Sequence, residues 1–230
     1  MITKSIRALV AGLLALATSA QADWGEEIIY FVMVDRFADG DGLSAIGIEP
    51  ENPVAFHGGD LRGLTAQLDE ISDLGATALW ITPIAQQVAA PIPSDAGPFH
   101  GHHGYWAEDL RGVGPRFGSE DDLRALADAL HQRGMKLMLD VVYNHVGYGS
   151  SFETDPDRKD WLRLGEDCGG DPVTSCIYGL PDLRTENQSV ADYILEQQLG
   201  IAERVGADGF RLDTFKHVDK AFWKIGRAHV

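Results

Sequence analysis

Gly209-Phe-Arg-Leu-Asp-Thr-Phe-Lys-His217 reads as the end of a β-strand and the turn that leaves it. Side chains alternate along a strand, so Arg211 and Asp213 share one face while Phe210 and Leu212 point to the other. A carboxylate beside a guanidinium stays ionised at neutral pH and is held in one orientation. A carboxylate nucleophile needs both conditions. Lys216 and His217 follow on the turn, where a substrate could meet them.

Working outward, three segments share one grammar: an amphipathic helix, a glycine stop, then an apolar strand. Leu64, Leu68, Ile71 and Leu74 recur at helical spacing, Gly75 ends the run, and Ala76 to Thr82 reads as strand. Ser119 is placed to cap a helix carrying Leu123, Leu126 and Leu130; Gly134 stops it before a strand from Lys136 to Tyr143. Val190, Ile194, Ile201 and Val205 mark a third helix, stopped by Gly206 ahead of the strand that ends at Asp213. With Ile28 to Val34 as an opening strand, the order is βαβαβαβ, which argues a parallel sheet. Extra length falls at Pro83–Gly118 and Val146–Arg184, directly after strands, where α/β folds place their sites. This pattern fits half of a (β/α)8 barrel or an open doubly wound sheet. No Gly-rich phosphate loop follows the first strand, which argues against a nucleotide-binding domain.

Composition narrows the function classes. The formal net charge is −16, and loss of Lys4 and Arg7 with a leader would make it more negative by two. Such a surface repels phosphate backbones, so nucleic acid is excluded as an expected partner, and a polyhydroxyl substrate or a cation fits better. Residues 1–22 read as a secretory signal: Lys4 and Arg7, an apolar run from Ala8 to Ala17, then Ala20-Gln-Ala22 before Asp23. That run is too short to span a bilayer, so a secreted or periplasmic protein without stable membrane insertion is expected. Cys168 and Cys176, the only cysteines, are expected to pair in an exported chain, since zinc would need more ligands nearby.

Five motifs now carry a family resemblance: Phe56-His-Gly-Gly-Asp-Leu61, Gly104-Tyr-Trp106, Asp140-Val-Val-Tyr-Asn-His145, Leu180-Pro-Asp-Leu183 and Gly209 to His217. In this order the chain, from about Ile28 to Trp223, resembles the α-amylase family of retaining α-glucoside hydrolases and transglycosylases. The resemblance implies the N-terminal half of a (β/α)8 barrel, about four βα units, with a small subdomain inserted after the third strand. Residues 23–145 would form the first part of the barrel, 146–185 the insert with its disulfide, and 186–224 the continuation.

The resemblance also implies roles. Asp213 would be the nucleophile, held ionised by Arg211, with Asp140 bracing the floor. His145 would hydrogen-bond the sugar at the cleavage subsite, Tyr105 would stack on it, and His103 would border it. Lys216 and His217 would contact the leaving side, and the substrate would be an α-glucan or maltooligosaccharide joined by α-1,4 bonds. Calcium is the implied cofactor, on Asn144, Asp182 and the backbone carbonyl of His217; a second candidate set is Asp39, Asp41 and Asp60. Taken singly, Asp213 reads equally as a salt-bridged structural carboxylate, His145 as a satisfied strand-end histidine, and Phe99-His-Gly-His-His103 as polar loop contacts.

A retaining glycosidase needs a second carboxylate as acid/base. The family places its acid/base Glu on the strand after the fourth, and no counterpart stands in this sequence. The 230-residue chain is therefore expected to be inactive and poorly folded alone, with residues 225–230 read as an artefactual tail because they break the helical pattern. The alternatives are another α-glucoside hydrolase or transglycosylase of the same family, or a non-catalytic carbohydrate-binding relic.

Overall fold

A computed structural model describes residues 24–40, 42 and 48–226; the expected leader, Asp41 and the last four residues lie outside them. Its strands in chain order are β1 (Ile29–Val32), β2 (Ala78–Ile81), β3 (Ile92–Ser94), β4 (Gly97–Phe99), β5 (Lys136–Val142), β6 (Leu162–Arg163), β7 (Asp182–Leu183) and β8 (Gly209–Asp213). Its helices are α1 (Val34–Phe37), α2 (Leu61–Ala66), α3 (Leu68–Asp73), α4 (Glu120–Gln132), α5 (Gln188–Val205) and α6 (Lys220–Gly226).

Four strands form one parallel sheet in the order β1-β2-β5-β8. The register aligns Val32, Ile81, Leu139 and Phe210 in a single row across it. This row packs against Leu64, Leu68, Ile71, Leu123, Leu126 and Leu130 from the helices. Because neighbours alternate faces, Phe31, Trp80, Met138, Asp140, Arg211 and Asp213 fall on the opposite face. Apolar residues occupy the N-terminal part of that face, and charged ones its C-terminal end.

The helix ends follow from local chemistry. Ser119 and Asp122 form a reciprocal capping box at the start of α4, and Asp122 also takes a hydrogen bond from Arg62 at 2.7 Å, tying α4 to α2. Gly206 closes α5 in the left-handed region at φ 75°, a conformation a Cβ would penalise. The single helix expected around Leu64–Leu74 is instead two, broken at Gln67. Leu61, Leu64, Leu68 and Ile71 all remain in one core, so packing of the apolar residues overrides helical continuity. The opening strand is also shorter than expected: it ends at Val32 and turns at once into α1, where Asp35 accepts from the backbone N–H groups of His57 and Gly58.

Candidate active site

The charged end of the sheet is organised around Asp140, whose side chain is fully buried. Register sets Asp140 opposite Arg211 and Val142 opposite Asp213 on the adjacent strands. Asp140 Oδ2 accepts from Trp80 Nε1 at 3.0 Å and from the Tyr105 hydroxyl at 2.8 Å. Arg211 Nη1 donates to both oxygens of Asp140 at 3.2 Å and to Asp213 Oδ1 at 2.5 Å. The guanidinium also lies over the Trp80 ring, 5.0 Å from its centroid. Burial pushes the Asp140 carboxyl above its ordinary pKa, against the pull of Tyr105, Arg211 and Trp80. Burial and then Asp140 raise the Tyr105 phenol far above its usual range, so it remains a donor. Asp213 keeps Oδ2 clear of protein donors among the described residues, and its side chain is partly exposed. One oxygen is thus held by a cation while the other accepts no hydrogen bond among the described residues.

The loop after β2 brings in the aromatic residues. Gly104 sits at φ 91°, and a Cβ there would lie 2.2 Å from the Pro83 carbonyl, so the turn requires glycine. His103 stacks on Tyr105 at 5.7 Å, meets Trp106 edge-on at 4.8 Å, and accepts at Nδ1 from the Tyr105 N–H at 3.0 Å. Burial, followed by the neighbouring His102 and His145, lowers its pKa to about 4. Gln87 anchors the same loop by accepting from Trp106 N at 2.8 Å.

His145 departs from expectation. Its ring is buried, with Nε2 3.0 Å from the Tyr105 carbonyl and Nδ1 2.7 Å from Asn144 Oδ1. Both nitrogens are engaged inside the protein, so this arrangement fixes the Tyr105 backbone and does not offer a nitrogen to a sugar hydroxyl. Beyond β8, Thr214 adopts φ 50° and its hydroxyl meets Asn144 Oδ1 at 2.5 Å. Lys216 is exposed, and the half-buried His217 places Nδ1 2.7 Å from the Pro172 carbonyl of the insert. The insert contains the Cys168–Cys176 disulfide and the paired strands β6 and β7, and Leu183 N of β7 donates to the Asn144 carbonyl at 2.6 Å, joining it to the chain just past the end of β5.

Among the described residues no group of three His, Cys, Asp or Glu side chains could hold a metal, so a cation would also need amide and backbone oxygens. The surroundings of Asn144 and Asp182 fit one. Asp182 is wholly buried; its Oδ2 pairs with Arg163 at 2.7 Å, but Oδ1 has no partner, and neither has Asn144 Nδ2. Burial lifts the Asp182 carboxyl to about 7 despite Arg163. The hydrogen-bond logic adds to this. Nε2–H of His145 must donate to a carbonyl, and burial lowers the ring's pKa, so Nδ1 is an acceptor that wants the amide nitrogen of Asn144 rather than its oxygen. In that orientation the amide nitrogen also meets the Thr214 hydroxyl, which becomes its acceptor, and the amide oxygen takes the unpartnered position, where a cation would satisfy it together with Oδ1 of Asp182.

The second expected cation set does not form from its described members. Asp60 spends its carboxylate capping α2, accepting from Gly63 N at 2.7 Å and Gly40 N at 3.1 Å. Asp39 Oδ1 accepts from Gly42 N at 2.7 Å, closing its own turn, and Asp41 lies outside the described residues.

Two features escaped the sequence reading. Trp80 is a working part of the floor, and the strand register, once known, puts it on the same face as Asp140. The other is a knot under the insert: buried Asp109 accepts from Tyr193 at 2.6 Å and from Arg111, while Arg158 lies over the rings of Phe152 and Tyr193. It joins Asp109 and Arg111 after β2, Phe152 and Arg158 in the insert and Tyr193 on α5, and no local pattern links these three segments.

With this geometry in hand, comparison with known proteins is specific. The family model for the α-amylase catalytic domain matches residues 31–167. Alpha-amylase 2 of Schwanniomyces occidentalis is 38% identical over 229 residues, covering 90% of this chain and 43% of the relative. The crystal structure of an α-amylase from Geobacillus thermoleovorans, complexed with acarbose, superposes with a TM-score of 0.78 at 39% identity, covering 90% of this chain and 44% of that one. An Anoxybacillus α-amylase superposes at 0.82 with 38% identity, covering 91% and 45%. The chain therefore spans less than half the length of these relatives, and its four-stranded sheet is the N-terminal half of a (β/α)8 barrel.

Proposed function

The chain belongs to the α-amylase catalytic-domain family, and from that premise we propose that it forms the first half of the barrel of an exported α-glucan hydrolase. The reaction is cleavage of α-1,4-glucosidic bonds with retention, with Asp213 as nucleophile. The observation that carries this reading is the Arg211–Asp213 pair at the sheet's charged end, one carboxylate oxygen gripped and the other open.

Asp213 Oδ2 attacks the anomeric carbon as the bond to the leaving glycosyl oxygen breaks, giving a covalent glycosyl-enzyme. The leaving oxygen takes a proton from a second carboxylate, which then deprotonates the water that releases the sugar. Asp140 cannot serve as that second group, being buried and committed to Trp80, Tyr105 and Arg211. No acid/base is assigned among the described residues. Arg211 keeps Asp213 ionised and oriented. The Tyr105 ring, fixed by Asp140, His103 and the hold of His145 on its carbonyl, stacks on the sugar, with His103 at the border. Lys216 and His217 meet the sugar on the leaving side. Asn144, Asp182 and the His217 carbonyl would hold calcium, which when bound supplies positive charge to Asp182 and cross-links the insert to the strand ends.

The test is mechanism-based trapping in the full-length hydrolase. A 2-deoxy-2-fluoro-glucosyl fluoride should label Asp213, located by peptide mass spectrometry. Labelling of another carboxylate, or early products of inverted configuration, would refute the assignment.

A further inference from the structure

The disulfide loop of the insert is wired to hold one atom still. Asp171 accepts from Val173 N at 2.9 Å, Thr174 N at 3.3 Å and Thr174 Oγ1 at 2.7 Å. Gly169 N donates to the Thr174 carbonyl at 2.8 Å, and a Cβ on Gly169 would lie 2.0 Å from Thr174 Oγ1. Cys168–Cys176 closes the loop across these bonds. Between them the Pro172 carbonyl projects toward β8, accepting from Ser175 Oγ at 3.2 Å and lying 2.7 Å from His217 Nδ1. A proline in the turn further limits the freedom of this peptide unit.

A carbonyl oxygen only accepts, so His217 must carry its proton on Nδ1. From this geometry we infer that the Cys168–Cys176 loop is a positioning element for His217, locking the Nδ1–H tautomer and presenting Nε2 as a bare acceptor to a sugar hydroxyl on the leaving side. The sugar contact rests on the function proposed above; the hold on the ring does not. The loop thereby makes His217 complementary to a hydroxyl that donates, and ties leaving-side recognition to an oxidised disulfide. Pro172 and Asp171 touch no substrate in this scheme, and they act through the ring.

The test is nitrogen-15 NMR of the histidine rings in the oxidised full-length hydrolase at about pH 8.5, where unperturbed imidazoles are neutral. His217 should be the Nδ1–H tautomer. It should shift toward Nε2–H in Asp171→Ala, which keeps the disulfide, and in the double variant Cys168→Ser/Cys176→Ser. His131 of α4, held by Asp208, should be unchanged and reports that the barrel is folded. An Nε2–H ring in the unsubstituted hydrolase, or a tautomer indifferent to both variants, overturns the inference. In the full-length hydrolase the same variants should raise KM for maltotriose about fivefold, the loss of one oriented hydrogen bond, with kcat within about twofold. A shifted tautomer with unchanged KM would refute the sugar contact of His217 while supporting the loop's grip on the ring.

Discussion

Replacing His103 by Asn should flatten part of the acid sensitivity of the fold. His103 Nδ1 accepts from the Tyr105 N–H, so the ring is the Nε2–H tautomer and a second proton would point two N–H groups at each other. Burial, then His102 and His145, bring its pKa from 6.5 to about 4. The unfolded chain therefore binds the proton more tightly than the folded one. For a histidine lowered in this way the stabilisation is complete above pH 6.5, and it falls as pH drops toward 4. A fall of the pKa from 6.5 to about 4, at about 1.4 kcal/mol for each pH unit, gives a ceiling of about 3.5 kcal/mol, nearly all of it lost by pH 4. Asn keeps an acceptor near the Nδ1 position but cannot titrate. Urea unfolding of the full-length hydrolase and of its His103→Asn variant, at steps from pH 7.5 to 4, isolates this contribution, because His102, His145 and the carboxylates are common to both. The variant should be the less stable at pH 7.5, having lost ring contacts with Trp106 and Phe99. The gap should narrow by up to about 3 kcal/mol at pH 4. A gap constant to within about 1 kcal/mol across that range would refute the reasoning.

Three other outcomes are expected. Asp213→Asn in the full-length hydrolase should cut kcat by at least about 10³-fold while maltooligosaccharide binding persists; a loss below about tenfold would exclude Asp213 as nucleophile. Opening the disulfide with Cys168→Ser/Cys176→Ser removes a cross-link of sequence separation 8, worth about 2.5 kcal/mol in the chain-entropy model, read as a lower urea midpoint at unchanged slope. Calcium chloride should raise the melting temperature of the full-length hydrolase and a chelator should reverse it, with no response in Asp182→Asn; an equal response in that variant would place the ion elsewhere.

The alternation Arg211–Asp213, the helix-stop glycines and the capping residue Ser119 were legible because each is a local rule. A strand alternates, glycine tolerates positive φ, and a serine caps the helix that follows it. What stayed hidden was set by register and packing. Trp80 belongs to the site floor only because β2 and β5 pair with Trp80 opposite Met138. His145 was read as a sugar ligand, yet the loop after β2 folds back so that the Tyr105 carbonyl takes its Nε2. Asp60 looked like a cation ligand, but the N–H groups of Gly40 and Gly63 claim its carboxylate. In both cases the residue type was informative and the partner was not, since backbone groups leave no mark in a sequence.

Asp140 joins three pieces of chain that are distant in sequence: Trp80 on β2, Tyr105 in the loop after it, and Arg211 on β8. A buried carboxylate is costly unless its oxygens are satisfied. These three donors meet that demand only when the strands are in register and the loop is closed. The same condition that stabilises the fold therefore orients Arg211, and through it Asp213. An apolar residue at 140 could fill the space but would leave Trp80, Tyr105 and Arg211 without an acceptor. Fixing Asp213 by a neighbour's neighbour leaves Oδ2 without a protein donor among the described residues, the condition that the proposed attack requires. The rigidity of the candidate site thus resides one residue away from its chemistry, in a carboxylate that touches no substrate.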